Sequence, residues 1–125
     1  MKRRTKQREI ILDTLTKANG PLTAEELWQQ ARAHTNNLGK ATVYRNLRLL
    51  VQEEDIQEVH LPNESTRFEA KFVGHRHYFY CESCKQISFI QATCPVAALD
   101  GVTLPSGYKI RSHSLMFYGI CVDCD

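Results

Sequence analysis

The stretch Gly39–Leu50, GKATVYRNLRLL, decides how the chain is read. Val43, Leu47 and Leu50 fall at i, i+4 and i+7, the apolar stripe of one helix face. Thr42, Tyr44, Arg45 and Arg48 are left on the outer face. An ordinary core helix needs the stripe and is indifferent to its other side, whereas a helix that enters a DNA groove needs both. The neighbouring segments decide between the two.

Upstream, Thr5 is placed to cap a helix whose inward face is Ile11, Leu12 and Leu15. Asn19-Gly20 stops it before Pro21. LTAEELWQQA (22–31) follows, with Thr23 and Glu26 at capping-box spacing and Leu27, Trp28 and Ala31 inward. The polar run from His34 to Gly39 breaks it. Downstream, DIQEVHLPNESTRFEA (55–70) offers two β-prone runs, Ile56 to Leu61 and Thr66 to Phe68, around the turn residues Pro62-Asn63-Glu64. Three helices and then a hairpin is the order of a winged helix-turn-helix, so residues 1–70 are predicted to form a DNA-binding domain. The polar face of the third helix is then aimed at a major groove, its arginines reaching guanine edges or phosphates. Lys2, Arg3, Arg4, Lys6 and Arg8 are expected to add phosphate contacts.

Charge supports that division. The 125 residues carry a net charge of only +2, but residues 1–50 hold ten Lys/Arg against four Asp/Glu, and residues 51–125 six against ten. A basic front joined to an acidic rear suggests a polyanion-binding module attached to something with another task. Met1 to Arg8 is charged, unlike a signal peptide, and no run approaches the roughly 18 apolar residues of a membrane span. A cytoplasmic location without membrane association is expected, where cysteines stay reduced and their spacing reads as metal chemistry before disulfides.

The rear texture is alternating and aromatic: YFYC (78–81), ISFI (87–90) and YKIRSHSLMFYGIC (108–121) read as strands, with a short helical piece around Val96 to Leu99 between Pro95 and Gly101. Gly74, inside AKFVGHR, marks the hinge, taken as residues 71–76, with 77–125 as a second small α/β domain. So few elements need a metal, a partner chain or both for stability. The whole is an α+β chain.

Two CxxC knuckles, Cys81-Glu-Ser-Cys84 and Cys121-Val-Asp-Cys124, supply the means. Tetrahedral zinc takes four thiolates delivered as such pairs, and four cysteines with no open position describe a structural site. The long interval between knuckles implies strands and a helix folded into the loop that the metal closes. The remaining candidate ligands are His75 and His77, which alternate, with His60 on the wing, Glu69, Cys94, and His113 on the last long strand. Imidazole with one or two oxygens suits zinc, ferrous iron or manganese, while recruitment of Cys94 leans to zinc. His34 has no assigned role.

The stretches RTKQREIIL, TAEELW, GKATVYRNLRLL, RFE, HRHYFYCESC and SHSLMFYGICVDC, in this order and spacing, resemble the ferric uptake regulator family over nearly the whole chain. The resemblance implies a homodimer with winged-helix heads and α/β dimerisation domains, which binds a palindromic operator and represses when metal is loaded. By position it implies that Cys81, Cys84, Cys121 and Cys124 bind structural zinc and that Tyr44 and Arg45 contact DNA. It makes Glu69 the acidic ligand of a hinge site and His113 the histidine of a second site in the dimerisation domain. Pro21, Tyr78 and Ser88 depart from the family pattern. Either a bulge restores His75 and His77 to the hinge site, or they serve the neighbouring site with His113.

The expected function is therefore a metal-responsive repressor of metal-uptake or oxidative-stress genes, with structural Zn2+ and a second regulatory divalent ion (Fe2+, Zn2+ or Mn2+). A zinc-stabilised protein-interaction adaptor is the alternative. A zinc hydrolase or deaminase is disfavoured, since no HExxH or HxE supplies a general base beside the ligands, so neither an enzyme nor a small-molecule substrate is expected.

Overall fold

The structure, a computed structural model, describes residues 5–61, 63–71, 76–90, 94, 96–113 and 115–125. Arg3, Arg4, His75 and most of the expected hinge lie outside the described residues. The chain divides into two compact units, Met1–Val73 and Gly74–Asp125.

In the first unit α1 spans Lys6–Lys17, β1 Leu22–Thr23, α2 Ala24–Ala31, α3 Lys40–Gln52, β2 Ile56–Val59 and β3 Arg67–Ala70. The helices start where their caps dictate. Thr5 accepts from the Arg8 backbone N–H, and Thr23 and Glu26 form a full capping box. Ile11, Leu15, Leu27, Ala31, Val43, Leu47 and Leu50 are buried together with Ile56. Leu12 and Trp28, expected inside, are only partly buried and pack on the margin of that core. The wing has three strands in the order β1-β3-β2, all antiparallel. β1 is too short to announce itself by alternation and exists because Leu22 and Thr23 find Phe68 and Arg67 opposite them.

In the second unit β4 spans Tyr78–Cys81, β5 Ile87–Phe89 and β6 Met116–Gly119, with a 3-10 turn at Ala97–Leu99. The sheet order is β5-β4-β6; β5 runs antiparallel to β4, and β6 runs parallel to it. The last strand is shorter than the alternation from Tyr108 suggests, because the preceding backbone pairs with itself. Gly101 N–H donates to Ile110 O (2.7 Å), Ile110 N–H to Val102 O (2.9 Å) and Leu104 N–H to Tyr108 O (2.7 Å). Gly107, at φ +94°, takes the left-handed turn that this reversal needs. His113 consequently precedes β6 instead of lying within a long strand.

Candidate metal centres and nucleic-acid face

The parallel pairing of β4 and β6 explains both groups of potential ligands. Each strand runs directly into, or to within two residues of, a CxxC turn, so side-by-side parallel strands deliver both knuckles to one end of the pair. There the Sγ atoms of Cys81, Cys84, Cys121 and Cys124 all lie within 4.8 Å of one another. Cys84 and Cys121 are 3.8 Å apart, which matches the edge of about 3.8 Å for a tetrahedron with Zn–S near 2.3 Å. Cys81 is buried, and its sulfur accepts from the backbone N–H groups of Cys84 and Cys121, each at 3.4 Å. Those hydrogen bonds lower its thiol to about 6. The sulfur of Cys121 pushes Cys124 the other way, up to about 12. One thiolate forms readily in this cluster and the last only with difficulty, the arrangement that a cation at the centre relieves.

The opposite end of the same strand pair carries the second cluster. His77 immediately precedes β4 and His113 lies three residues before β6. β5 returns the chain to this end, where Ile90 N–H donates to His77 O (2.9 Å), and Cys94 follows shortly after. Cys94 Sγ sits 3.1 Å from His77 Nε2 and 3.0 Å from His113 Nε2. The two imidazoles stack with centroids 5.1 Å apart and planes inclined by 26°. His77 is buried, and Cys94 and His113 are half-buried. Two nitrogens and a sulfur converging from three segments fit a divalent ion of intermediate softness. On the far edge of the His113 ring, Nδ1 is 2.8 Å from Asp100 Oδ1.

Within the second unit, the surroundings of His77 bear on the two alternatives for the histidine register. Tyr78, Phe79 and Tyr80 pair in unbroken register with Phe89, Ser88 and Ile87, so no bulge intervenes. His77 accordingly faces Cys94 and His113, while Tyr78 packs on Phe89 at 6.0 Å. His60 and Glu69 belong to the first unit. His60 is exposed, 3.4 Å from Thr66 Oγ1 and 3.8 Å from Glu58. Glu69 is buried within the wing, where its Oε1 accepts from Gln57 Nε2 at 2.7 Å.

On α3, Tyr44, Arg45 and Arg48 are exposed, and Thr42 is half-buried. Arg45 Nη2 reaches back to Thr42 Oγ1 (3.4 Å). The connection into α3 is held by Trp28, whose Nε1 donates to Leu38 O (2.7 Å) and whose ring carries the cations of Arg32 and Lys40 at 4.5 and 4.8 Å. Lys6 is exposed at the start of α1. Arg8 is not available for phosphate: it is buried, with Nη1 on Glu53 Oε1 at 2.8 Å and Nε on Asn46 Oδ1 at 3.4 Å. Its burial follows from its place one turn before Ile11, on the inward side of α1. Asn46, Glu53 and Asp100 escaped the reading of the sequence. Each meets a partner distant in sequence, for which local spacing carries no signal.

The chain matches the family model described as "Ferric uptake regulator family" over residues 2–118. It is 30% identical to a "Ferric uptake regulation protein" of Campylobacter jejuni subsp. jejuni, covering 97% of this chain and 78% of that protein. It is 32% identical to a "Peroxide operon regulator" of Bacillus subtilis, covering 96% and 82%. Among solved structures, a "zinc-bound manganese uptake regulator" shares the fold with a TM-score of 0.81 at 20% identity, over 97% of this chain and 92% of that one. The ferric uptake regulator of Helicobacter pylori does so with a TM-score of 0.70 at 23% identity, over 98% and 81%.

Proposed function

The chain belongs to the ferric uptake regulator family and is a metal-responsive, DNA-binding transcriptional regulator that acts as a homodimer; from this premise we propose that its regulatory ion is held by His77, Cys94 and His113. The observation that carries this reading is the convergence of both Nε2 atoms on Cys94 Sγ at 3.0 and 3.1 Å. A thiolate with two imidazoles favours zinc over the harder Fe2+ and Mn2+, which prefer more oxygen. A divalent ion held by His77, Cys94 and His113 would cross-link the start of β4, the segment after β5 and the segment before β6.

At the other end of the strand pair Cys81, Cys84, Cys121 and Cys124 are the structural zinc ligands, and the domain boundary lies within 71–76. The second unit buries little apolar surface of its own, with Cys81 and Ile87 its buried apolar residues among those described. It exposes Phe117, Tyr118, Ile120 and Val122. A second copy of the chain covering that face accounts for the exposure. On the first unit, Tyr44, Arg45 and Arg48 with Thr42 read the groove of a palindromic operator, and Lys6 with Arg3 and Arg4 neutralises phosphates. The genes repressed are those of metal uptake or oxidative stress. The place of action is the cytoplasm, and the role is regulation instead of catalysis, in keeping with a family of transcription regulators.

Fluorescence anisotropy with duplex DNA from the promoter of its own gene tests this. Zn2+ is expected to tighten binding by about 5- to 150-fold, the usual range of such coupling. His77→Ala, Cys94→Ser and His113→Ala should each lose that increment while retaining the structural zinc. Three variants with the full response would place the regulatory ion elsewhere. Absence of any metal-dependent, salt-sensitive DNA binding would favour the adaptor.

A further inference from the structure

Asp100 lies outside the donor cluster yet touches it from behind. Its Oδ1 is 2.8 Å from His113 Nδ1, while the opposite nitrogen of the same ring, Nε2, is 3.0 Å from Cys94 Sγ. The two nitrogens of an imidazole face away from each other, so the carboxylate and the sulfur address different edges. Asp100 does not share the space of the three donors. The aspartate is also held in place by its backbone neighbours. Leu99 N–H donates to Val96 O (3.0 Å), Val102 N–H to Leu99 O (3.1 Å) and Gly101 N–H to Ile110 O (2.7 Å), with Gly101 at φ +86°. The carboxylate therefore stands beside His113 on a backbone hydrogen-bonded on both sides, with little loss of freedom when the contact forms.

We propose that Asp100 is the positioning residue of the regulatory site: it takes the Nδ1–H of His113 and so commits Nε2 to the ion. The inference rests on the reading of His77, Cys94 and His113 given above. A neutral imidazole carries its proton on one nitrogen only. With that proton drawn to Nδ1 by a carboxylate at 2.8 Å, the Nε2 lone pair is left toward Cys94, where it accepts the thiol proton or donates to a metal. The carboxylate also makes that lone pair a stronger donor, as outer partners of ligating histidines do. His77 lies next to the same ring, stacked on His113 at 5.1 Å.

Asp100→Ala and Asp100→Asn in the full-length protein, with structural zinc in place, test the proposal by two measurements. The first is chelator-competition titration of the second Zn2+, which is expected to weaken by about 10- to 100-fold in Asp100→Ala. The second is the 15N NMR tautomer of the His113 ring before the second ion is added. It should be the Nδ1–H form in the parent and should shift toward Nε2–H in Asp100→Ala. Asp100→Asn keeps an acceptor oxygen without the charge, so it should retain the tautomer with a smaller loss of affinity; it carries the test if the alanine variant fails to fold. An unchanged tautomer and unchanged zinc affinity in both variants would overturn the role of Asp100 alone. If His77→Ala and Cys94→Ser also bound the second Zn2+ normally, the cluster itself would be misassigned.

Discussion

Replacing Arg8 separates two readings of the amino-terminal basic residues, because they predict opposite outcomes. As one of the phosphate-contacting cations, Arg8 would influence DNA binding and leave stability alone. The structure instead makes it a strut between α1 and α3, buried and paired with Glu53 at 2.8 Å and Asn46 at 3.4 Å. Arg8→Met keeps the apolar stem and removes the guanidinium. Breaking a fully buried pair from one side costs about 3–5 kcal/mol, and one hydrogen bond to a charged group about 1.5–3 kcal/mol. The Glu53 side chain is 23% exposed and regains some water, which places the expected loss at about 2–3 kcal/mol. For a unit of this size that is roughly a 10–20 °C drop in melting temperature. Circular dichroism at 222 nm follows the melt, and anisotropy at several salt concentrations follows the DNA. The salt dependence per bound dimer should stay as in the parent. An unaltered melt together with a shallower salt slope would refute the strut and restore Arg8 to the phosphate contacts.

The DNA face and the thiolate cluster give two further expectations. Arg45→Ala should weaken operator binding by about 1–3 kcal/mol and relax sequence preference if it reads a base, whereas Lys6→Ala should lower the salt slope by about 0.9 for each phosphate that Lys6 neutralises. Anisotropy across salt and mutated operators distinguishes them, and a variant of either residue that binds like the parent would remove it from the interface. Cys84→Ser, or stripping the structural zinc with a strong chelator, removes about 10–16 kcal/mol of apparent metal binding, against about 1.5–3 kcal/mol for burying a side chain such as Ile87. The second unit should unfold and the dimer dissociate on sedimentation. A zinc-free protein that keeps its dimer mass would show the thiolates to be dispensable.

What the sequence made legible was what depends on near neighbours. The capping box at Thr23 and Glu26, the Thr5 cap and the stripe of Val43, Leu47 and Leu50 are all set within one or two turns, and they appear as read. The CxxC pairs are equally local, since two intervening residues suffice to turn both sulfurs one way. The burial of Arg8 depends on partners 38 and 45 positions away. The grouping of His77 with Cys94 and His113 depends on β6 lying parallel beside β4, a pairing whose ends are separated by the whole 82–115 excursion. No periodicity encodes such a pairing, so the candidate ligands stay ungrouped until the sheet order sorts them. The expected long strand from Tyr108 fails for a related reason. Alternation there is real, but the backbone around Gly107 satisfies its hydrogen bonds within its own reversal.

The sheet order also accounts for why one small unit holds two ligand sets without confusing them. β4 spans four residues, about 13 Å at the usual rise, so clusters at its two ends are too far apart to compete for one ion. Their chemistries differ in the way their tasks require. Four thiolates close a tetrahedron and leave no position for exchange, which suits an ion that must stay as long as the protein is folded. Two imidazoles and one thiolate leave a position open and carry less charge, which suits an ion that must come and go with its concentration. The segment that separates Cys94 from His113 carries Leu99, Val102, Leu104 and Tyr108 at its surface. Its two ends meet through Cys94, His113 and Asp100, so an ion at the proposed site would hold the loop that presents those apolar side chains. If the proposed site holds its ion, occupancy would act on exposed surface of the second unit as well as on its interior.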